Sequence, residues 1–262
     1  MLGAIAGDII GSYYEFHKIK TKEFKLFHPK SKFTDDTTLS MAIAKSLLDN
    51  EPYLDNVVDF GLRYFEVGYG GSFKRWLKSE NHEPYNSWGN GSAMRVNPIA
   101  WAFDTEEKVL EEARKSAEIT HNHPEGIKGA EATALAIFMA RNGATKEAIR
   151  EQISTQFGYD LKRTVDEIRP DYKFEVSCQK SVPESIICFL DSNSFEDCIR
   201  NCVSLGGDAD TMGAIASGIA EAYYGIPEEI EKRIWNYLSD EFREILKRFQ
   251  EEFILRSSSI SK

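Results

Sequence analysis

GGDADTMGAIASGIAEAYYG, residues 206–225, sets two aspartates ahead of a stretch in which glycine and alanine recur at helical spacing. Glycine inside a helix costs about 0.5–1 kcal/mol relative to alanine, so repeated glycine indicates helices that pack at short range. The same small residues recur in two other segments with helical patterns, at Gly3, Gly7, Gly11, Gly126 and Gly129. We therefore predict a compact helical centre where these segments meet. Close packing of the helices is by itself enough to explain the pattern.

Apolar spacing elsewhere in the chain is also mainly helical. One stripe in residues 34–50 follows the i, i+3, i+4 pattern of an amphipathic helix. Its members are Leu39, Ala42, Ile43, Ser46 and Leu47. Strand patterns are scarce: the best alternating segment is residues 172–177, and one short strand does not make a sheet. The sequence therefore predicts an all-α fold.

Local signals mark where several helices begin or end. Asp104, with Glu107 three residues later, resembles a capping box. Pro124 suits a first helical turn and Gly143 a C-terminal stop. Ser194 is a predicted N-terminal cap.

The C-terminal region is also predicted to be helical. Residues 227–255 predict one long helix or two helices with a break near Ser239. More irregular structure is expected in residues 17–33, 68–98 and 156–182.

Composition limits the class of protein. The chain has 262 residues, 42% of them hydrophobic, and a net charge of −10. We expect one domain over residues 1–255 and a frayed tail at residues 256–262. An acidic chain argues against direct nucleic-acid binding, which needs a basic face. The default expectation for the oligomeric state is a monomer.

The sequence also bears on the compartment. The sequence has no run of about 18 apolar residues, so it predicts no membrane span. The N-terminus lacks the basic region of a signal peptide. The four cysteines have neither zinc-site nor disulfide-scaffold spacing, which favours the reducing cytoplasm. Cys198 and Cys202 are expected to pack as small hydrophobes.

Two acidic clusters precede predicted helices. They are Thr34, Asp35 and Asp36, and Asp208, Asp210 and Thr211. Helix capping would explain one side chain in each cluster, because Asp and Thr are preferred at helix N-termini. Each cluster supplies three oxygen ligands, however, and such ligands suit hard cations such as Mg²⁺ or Mn²⁺. If the clusters converge, they can hold two ions about 3.5–4 Å apart.

A third acidic element lies near the N-terminus. Asp8, Gly11 and Glu15 share one face of a predicted helix. Glu15 lies among apolar and aromatic residues, where a carboxylate either shifts its pKa or finds a cation. We expect Glu15 to face a cavity and Asp8 to orient its neighbours.

Five stretches, in order along the chain, resemble the ADP-ribosylglycohydrolase family. They are GDIIGSYYE, FTDDT, SWGNGSAMR, THNHPEGIKGA and GGDADTMGAIASGIAEAYYG, and they extend from residue 7 to residue 225. The resemblance implies a compact orthogonal all-α bundle with a central cleft that holds two Mg²⁺ or Mn²⁺ ions. It also implies a hydrolase that cleaves the glycosidic bond between ADP-ribose and an acceptor and releases ADP-ribose.

The resemblance also implies roles for individual residues. The implied metal ligands are Thr34, Asp35, Asp36, Asp208, Asp210 and Thr211. The implied catalytic carboxylates are Glu15, Asp35 and Asp36, any of which can be the proton acceptor. The implied substrate contacts are Ser87, Trp88, Gly89, Asn90, Gly91, Ser92 and His121. Arg95 is either a phosphate ligand or part of a buried ion pair, and Met94 is expected in the core.

Other functions stay open at this stage. The chain can be a non-catalytic relative that binds ADP-ribose or serves structurally, although all six implied metal ligands are present. It can act on another ADP-ribose or nucleoside conjugate. The acceptor itself is open between arginine, serine, a nucleobase and a small conjugate, and residues 17–33 and 68–86 are the expected rim. An amidohydrolase, suggested by the His-x-His motif at residues 121–123, is disfavoured by the scarcity of histidines and strands.

Overall fold

The computed structural model describes residues 1–255, which form helices joined by loops. The α-helices are α1 Leu2–Gly11, α2 Asp35–Asp49, α3 Tyr53–Arg63, α4 Gly71–Leu77, α5 Gly91–Met94, α6 Asn97–Ala102, α7 Glu106–Glu118, α8 Pro124–Arg141, α9 Lys146–Phe157, α10 Val165–Ile168, α11 Cys178–Leu190, α12 Phe195–Ser204, α13 Ala209–Tyr224, α14 Glu228–Trp235 and α15 Asp240–Phe249. A π-helical segment, Gln250–Leu255, continues α15. The described residues contain no sheet, as predicted.

The predicted close packing of the glycine-rich helices is found between α1 and α13. A Cβ atom added to Gly213 would lie 2.7 Å from the carbonyl oxygen of Gly7, and one added to Gly7 would collide with the carbonyl group of Gly213. Ser217 Oγ donates a hydrogen bond of 2.6 Å to Gly3 O. The carboxylate of Glu221 on α13 accepts from Gly3 N at 2.8 Å, at the start of α1. The two helices, far apart in sequence, therefore pack with their backbones in contact.

Helix α13 lies at the centre of the molecule. Its residues from Ala209 to Ala220 are buried, and α1, α8, α11 and α12 pack around it. The hydrophobic core extends from Met1 to Phe249 and includes all four cysteines, which are free and buried. This burial confirms that Cys198 and Cys202 pack as small hydrophobes.

Most of the predicted helix ends are confirmed, with one exception. The Ser194 hydroxyl caps α12 by accepting from Asp197 N at 3.1 Å, and Ser239 separates α14 from α15. The prediction that Asp104 caps α7 is wrong by one residue. The Thr105 hydroxyl caps the helix instead, while Asp104 accepts a 2.6 Å hydrogen bond from Arg141.

The segment with the best strand pattern, residues 172–177, forms no strand. The only β pairing among residues 1–255 is an isolated bridge between Gly89 and Ser177. A short helix, α10, interrupts the region 156–182 that was expected to be irregular.

A lysine fixes the irregular segment 17–33 to the body of the molecule. Lys20 Nζ donates to the carbonyl oxygens of Arg169, Tyr172 and Leu205, at 2.6–2.7 Å. This contact holds the segment against the loop that leads into α13.

Two further expectations concern the C-terminal tail and membrane-spanning helices. The predicted tail, residues 256–262, lies outside the described residues. No helix among the described residues is both long and apolar enough to cross a membrane.

Candidate active site

The two predicted acidic clusters meet at the N-termini of α2 and α13. Asp36 lies in the first turn of α2, and Asp210 lies in the first turn of α13, which Asp208 precedes. Carboxylate oxygens of Asp8, Asp36 and Asp210 lie within 4.8 Å of one another. Those of Glu15, Asp208 and Asp210 do so as well. The clusters therefore form one continuous acidic site, and Asp210 belongs to both groups.

Asp8 lies beneath this site and is saturated with hydrogen bonds. One of its oxygens accepts from Thr34 N at 2.9 Å and Thr37 N at 3.1 Å, and also from the Thr37 hydroxyl. The other accepts from Thr34 Oγ1 at 2.7 Å. Asp8 thus anchors the first turn of α2, which agrees with the orienting role expected for it. Thr37, which sequence analysis did not single out, donates two of these hydrogen bonds.

Burial raises the pKa of every carboxyl group in the site. The pKa values of Asp36 and Asp210 lie well above the usual range, and neighbouring carboxylates add to the effect of burial. The same two causes raise the pKa values of Glu15 and Asp35 to about 7. Like charges held this close disfavour the ionised form unless a cation lies between them.

The protein itself supplies no such cation at ion-pair distance. Among residues 1–255, neither Glu15 nor any aspartate of the site forms an ion pair. Asp36 Oδ1 is buried and has no hydrogen-bond partner among the described residues. An unpartnered buried oxygen, in a set of donors made of carboxylates and threonine hydroxyls, fits a hard divalent cation. The site is therefore a candidate metal centre.

The acidic site forms the floor of a cleft with a volume of about 580 Å³, within the usual size of small-molecule sites. On one wall lies the segment over residues 87–92, here called the glycine loop, whose last two residues begin α5. Ser87, Asn90, Gly91 and also His121 line the cleft. Asn90 Nδ2 donates to Asp208 Oδ2 at 2.7 Å, which links the glycine loop to the acidic floor.

A model of the ADP-ribosylglycohydrolase family matches residues 1–259. The chain belongs to the ADP-ribosylglycohydrolase family. It is 28% identical to ADP-ribosylhydrolase ARH3 of Mus musculus, over 93% of this chain and 87% of the relative. It is 29% identical to the ADP-ribosyl-(dinitrogen reductase) glycohydrolase of Rhodospirillum rubrum, over 87% of this chain and 85% of the relative.

A solved structure, described as an ADP-ribosylglycohydrolase-related protein complex, has a similar fold. Its TM-score is 0.71 at 26% identity, with 97% of this chain and 96% of that chain covered. The fold and the family model together assign this chain to a class of ADP-ribosyl hydrolases.

Glu15 reaches the cleft from a turn, and not from helix α1 as predicted. Helix α1 ends at Gly11, so Glu15 does not share a helical face with Asp8. It lies instead in the turn that follows, where Glu15 N donates to Gly11 O at 3.0 Å. The turn points Glu15 into the cleft, as expected, beside the exposed Phe16.

Three residues of the glycine loop lie outside the cleft lining. Trp88 is 54% exposed and makes an edge-to-face contact with His123. Gly89 pairs with Ser177, and Ser92 is buried, with its hydroxyl donating to Gly126 O.

Arg95 and Met94 are both buried at the cleft wall. For Arg95 the ion-pair alternative is wrong within the described part of the chain. It donates to Ser116 O and Thr120 Oγ1 rather than to a carboxylate.

The remaining walls of the cleft come from loops and from the start of α4, which carry little sequence signal. Residues within the expected rim do line it, among them Lys32, Ser72 and Tyr85. Phe174 and Val176 also line it, but their segment carried only a strand pattern. No motif could have identified them, because loop residues reach the cleft only through tertiary packing.

Proposed function

We propose that this protein is a divalent-metal-dependent hydrolase that cleaves the glycosidic bond between ADP-ribose and an acceptor. One observation carries the proposal: carboxylates from opposite ends of the chain meet in the floor of a cleft, in a chain of the ADP-ribosylglycohydrolase family. The non-catalytic alternative is disfavoured, because a simple binding protein would gain nothing from several buried like charges.

Two Mg²⁺ or Mn²⁺ ions are the proposed cofactors. Their proposed ligands are Thr34, Asp35, Asp36, Asp208, Asp210 and Thr211. Asp8 holds Thr34 and the first turn of α2 in place beneath them. When bound, the ions supply Lewis-acid chemistry at the ribose and at the attacking water.

Glu15 is the proposed proton acceptor. Asp35 and Asp36 lie in the first turn of α2, where the helix dipole and a bound cation would favour the ionised form against the burial that raises their pKa values. Glu15 lies in a turn instead and borders the open cleft. A carboxylate there can take a proton from water as positive charge develops on the ribose.

The glycine loop and His121 are proposed to bind the rest of ADP-ribose. Ser87, Asn90, Gly91 and His121 border the same cleft as the acidic floor. At Gly91 a Cβ atom would lie 3.2 Å from His121 Nε2, so glycine lets the backbone of this loop approach the ring closely. Trp88, Gly89 and Ser92 support this loop rather than line the cleft.

The first experiment measures release of free ADP-ribose from arginine-, serine- and nucleic-acid-linked substrates. Each substrate is tested with Mg²⁺, with Mn²⁺ and with chelator, beside an Asp210→Ala variant. We expect release from at least one linkage that needs metal and is lost in the variant. That linkage identifies the acceptor.

The alternative predicts a different result. If wild type binds ADP-ribose but releases it from no linkage under any metal condition, the chain is a binding relative. If release persists in chelator and in Asp210→Ala, the metal-dependent mechanism is wrong.

A further inference from the structure

Arg95 is a buried cation without an anionic partner. Its side chain is fully buried, and no carboxylate among the described residues pairs with it. Its Nη2 donates to Ser116 O at 2.7 Å and Thr120 Oγ1 at 2.8 Å, whereas Nε and Nη1 have no partner. Burial lowers the pKa of Arg95 to about 10, so the guanidinium is still charged at neutral pH. A partly bonded buried charge is costly, so the burial of Arg95 beside Thr120 needs a reason.

Thr120 joins Arg95 to His121. Thr120 Oγ1 lies 2.7 Å from His121 Nδ1, and both residues are buried. A guanidinium can only donate, so the Thr120 oxygen accepts from Arg95 and keeps its single proton for Nδ1. In the opposite arrangement, Nδ1–H would donate to the oxygen, and the hydroxyl proton would have no acceptor within residues 1–255.

We propose that Arg95 and Thr120 are positioning residues that hold His121 in one neutral tautomer, with its proton on Nε2. Arg95 sets the direction of the Thr120 hydroxyl, and the hydroxyl makes Nδ1 the acceptor. The consequence is a fixed Nε2–H donor on the ring edge away from Thr120.

The fixed donor faces the glycine loop. A Cβ atom added to Gly91 would lie 3.2 Å from His121 Nε2, and one added to Gly89 would lie 3.6 Å from it. No residue in the described part of the chain bonds to Nε2, and His121 lines the cleft. The ring therefore keeps its donor free for a ligand. Burial, together with the Arg95 charge, also holds the pKa of His121 well below its usual range, so the ring stays neutral.

The role in binding rests on the proposed function. A ligand oxygen, such as a diphosphate or ribose oxygen of ADP-ribose, would accept from Nε2–H without any change in the charge of the site. The tautomer itself is independent of that function and is measured in the free protein.

The first test reads the tautomer directly by NMR of the full chain labelled with ¹⁵N-histidine. The chain has five histidines, and His121→Gln identifies the signal. We expect Nδ1 of His121 to appear unprotonated and Nε2 protonated. Thr120→Val, which removes the hydroxyl at nearly constant volume, is expected to mix the tautomers, whereas Thr120→Ser keeps a single one.

The second test measures ADP-ribose binding by calorimetry. Thr120→Val is expected to weaken binding about tenfold, with Thr120→Ser close to wild type. Thr133→Val is the matched control, because the Thr133 hydroxyl is buried without a partner. In the His121→Gln background, Thr120→Val is expected to add no further loss, since it acts through the ring.

The outcomes separate the two proposals. A wild-type Nδ1 that carries the proton, or an unchanged tautomer in Thr120→Val, overturns the positioning role. The expected tautomer in a wild-type protein that does not bind ADP-ribose supports the positioning role and contradicts the proposed function instead.

Discussion

Glu15 and Asp210 occupy different positions in one acidic site, and we propose different roles for them. Both have raised pKa values and lie within 4.8 Å of each other. Asp210, however, is buried in the first turn of α13, whereas Glu15 lies in a turn beside the open cleft. We therefore propose the ligand role for Asp210, at a helix N-terminus, and the role of base for Glu15, in a turn.

Glu15→Gln is expected to lower kcat by about 10²–10⁴, the usual contribution of a positioned general base. The amide keeps the shape of the side chain but cannot take a proton. Metal affinity, measured by calorimetry with Mn²⁺, is expected to change far less than kcat. If metal affinity falls in proportion to kcat, Glu15 is a metal ligand rather than the base.

Asp210→Asn is expected to weaken metal binding and yet to stabilise the metal-free protein. The amide has no charged form, so it avoids the cost that burial and repulsion from Asp208, Asp36 and Glu15 impose on this carboxyl group, and we expect a gain of about 1 kcal/mol in unfolding free energy in chelator. Denaturant unfolding at pH 8, with and without Mn²⁺, measures both effects. Asp55→Asn, at an exposed carboxyl, is the control. A metal-free variant less stable than wild type would contradict the repulsion argument.

At the scale of helices, the pairing of α1 with α13 positions the site. The pairing brings Asp8 and Asp210 within 4.8 Å, and it depends on glycine at the points of contact. A side chain there would separate the two helices, and with them the two halves of the acidic site.

Gly7→Ala is expected to cost about 2 kcal/mol or more in stability, because the added methyl group would collide with the backbone of α13. Thermal unfolding and Mn²⁺ binding measure the loss. Gly70→Ala is the control: no atom lies within 4 Å of an added Cβ there. Equal effects of the two substitutions would show that the close contact is not what requires glycine.

Sequence patterns predicted these helices better than the loops between them. Small-residue spacing predicted the close pairing of α1 with α13, and the acidic motifs predicted the floor of the cleft. Asp104 was wrong as a cap because the adjacent Thr105 offers a hydroxyl at the required position. Phe174 was missed because its position depends on how a loop packs over the cleft, and local periodicity carries no such information.

At the scale of the whole molecule, the acidic site makes stability depend on pH. Glu15 and Asp35 titrate near pH 7 in the metal-free fold, against ordinary values of 4.5 and 3.8. At pH values between the ordinary pKa values and about 7, the folded state keeps protons that the unfolded chain has released. The unfolding free energy therefore falls as pH rises through this window.

In chelator, stability is expected to decrease from about pH 4 to pH 8, by up to about 1.4 kcal/mol per pH unit for each such group. Saturating Mn²⁺ is expected to flatten or reverse the trend, because bound ions replace the protons. Denaturant unfolding at several pH values, with and without Mn²⁺, provides the comparison. Parallel curves with and without metal would exclude the site as the cause.

The pairing of α1 with α13 also bears on how the protein is made. The hydrogen bond between Ser217 and Gly3 joins residues 214 positions apart, so α1 leaves the ribosome long before its partner exists. Contacts of such separation form late, since the long loop must close first. We expect the nascent chain to carry an incomplete site until α13 is synthesised. An unfinished polypeptide would then be unable to cleave anything, however well its earlier helices had folded.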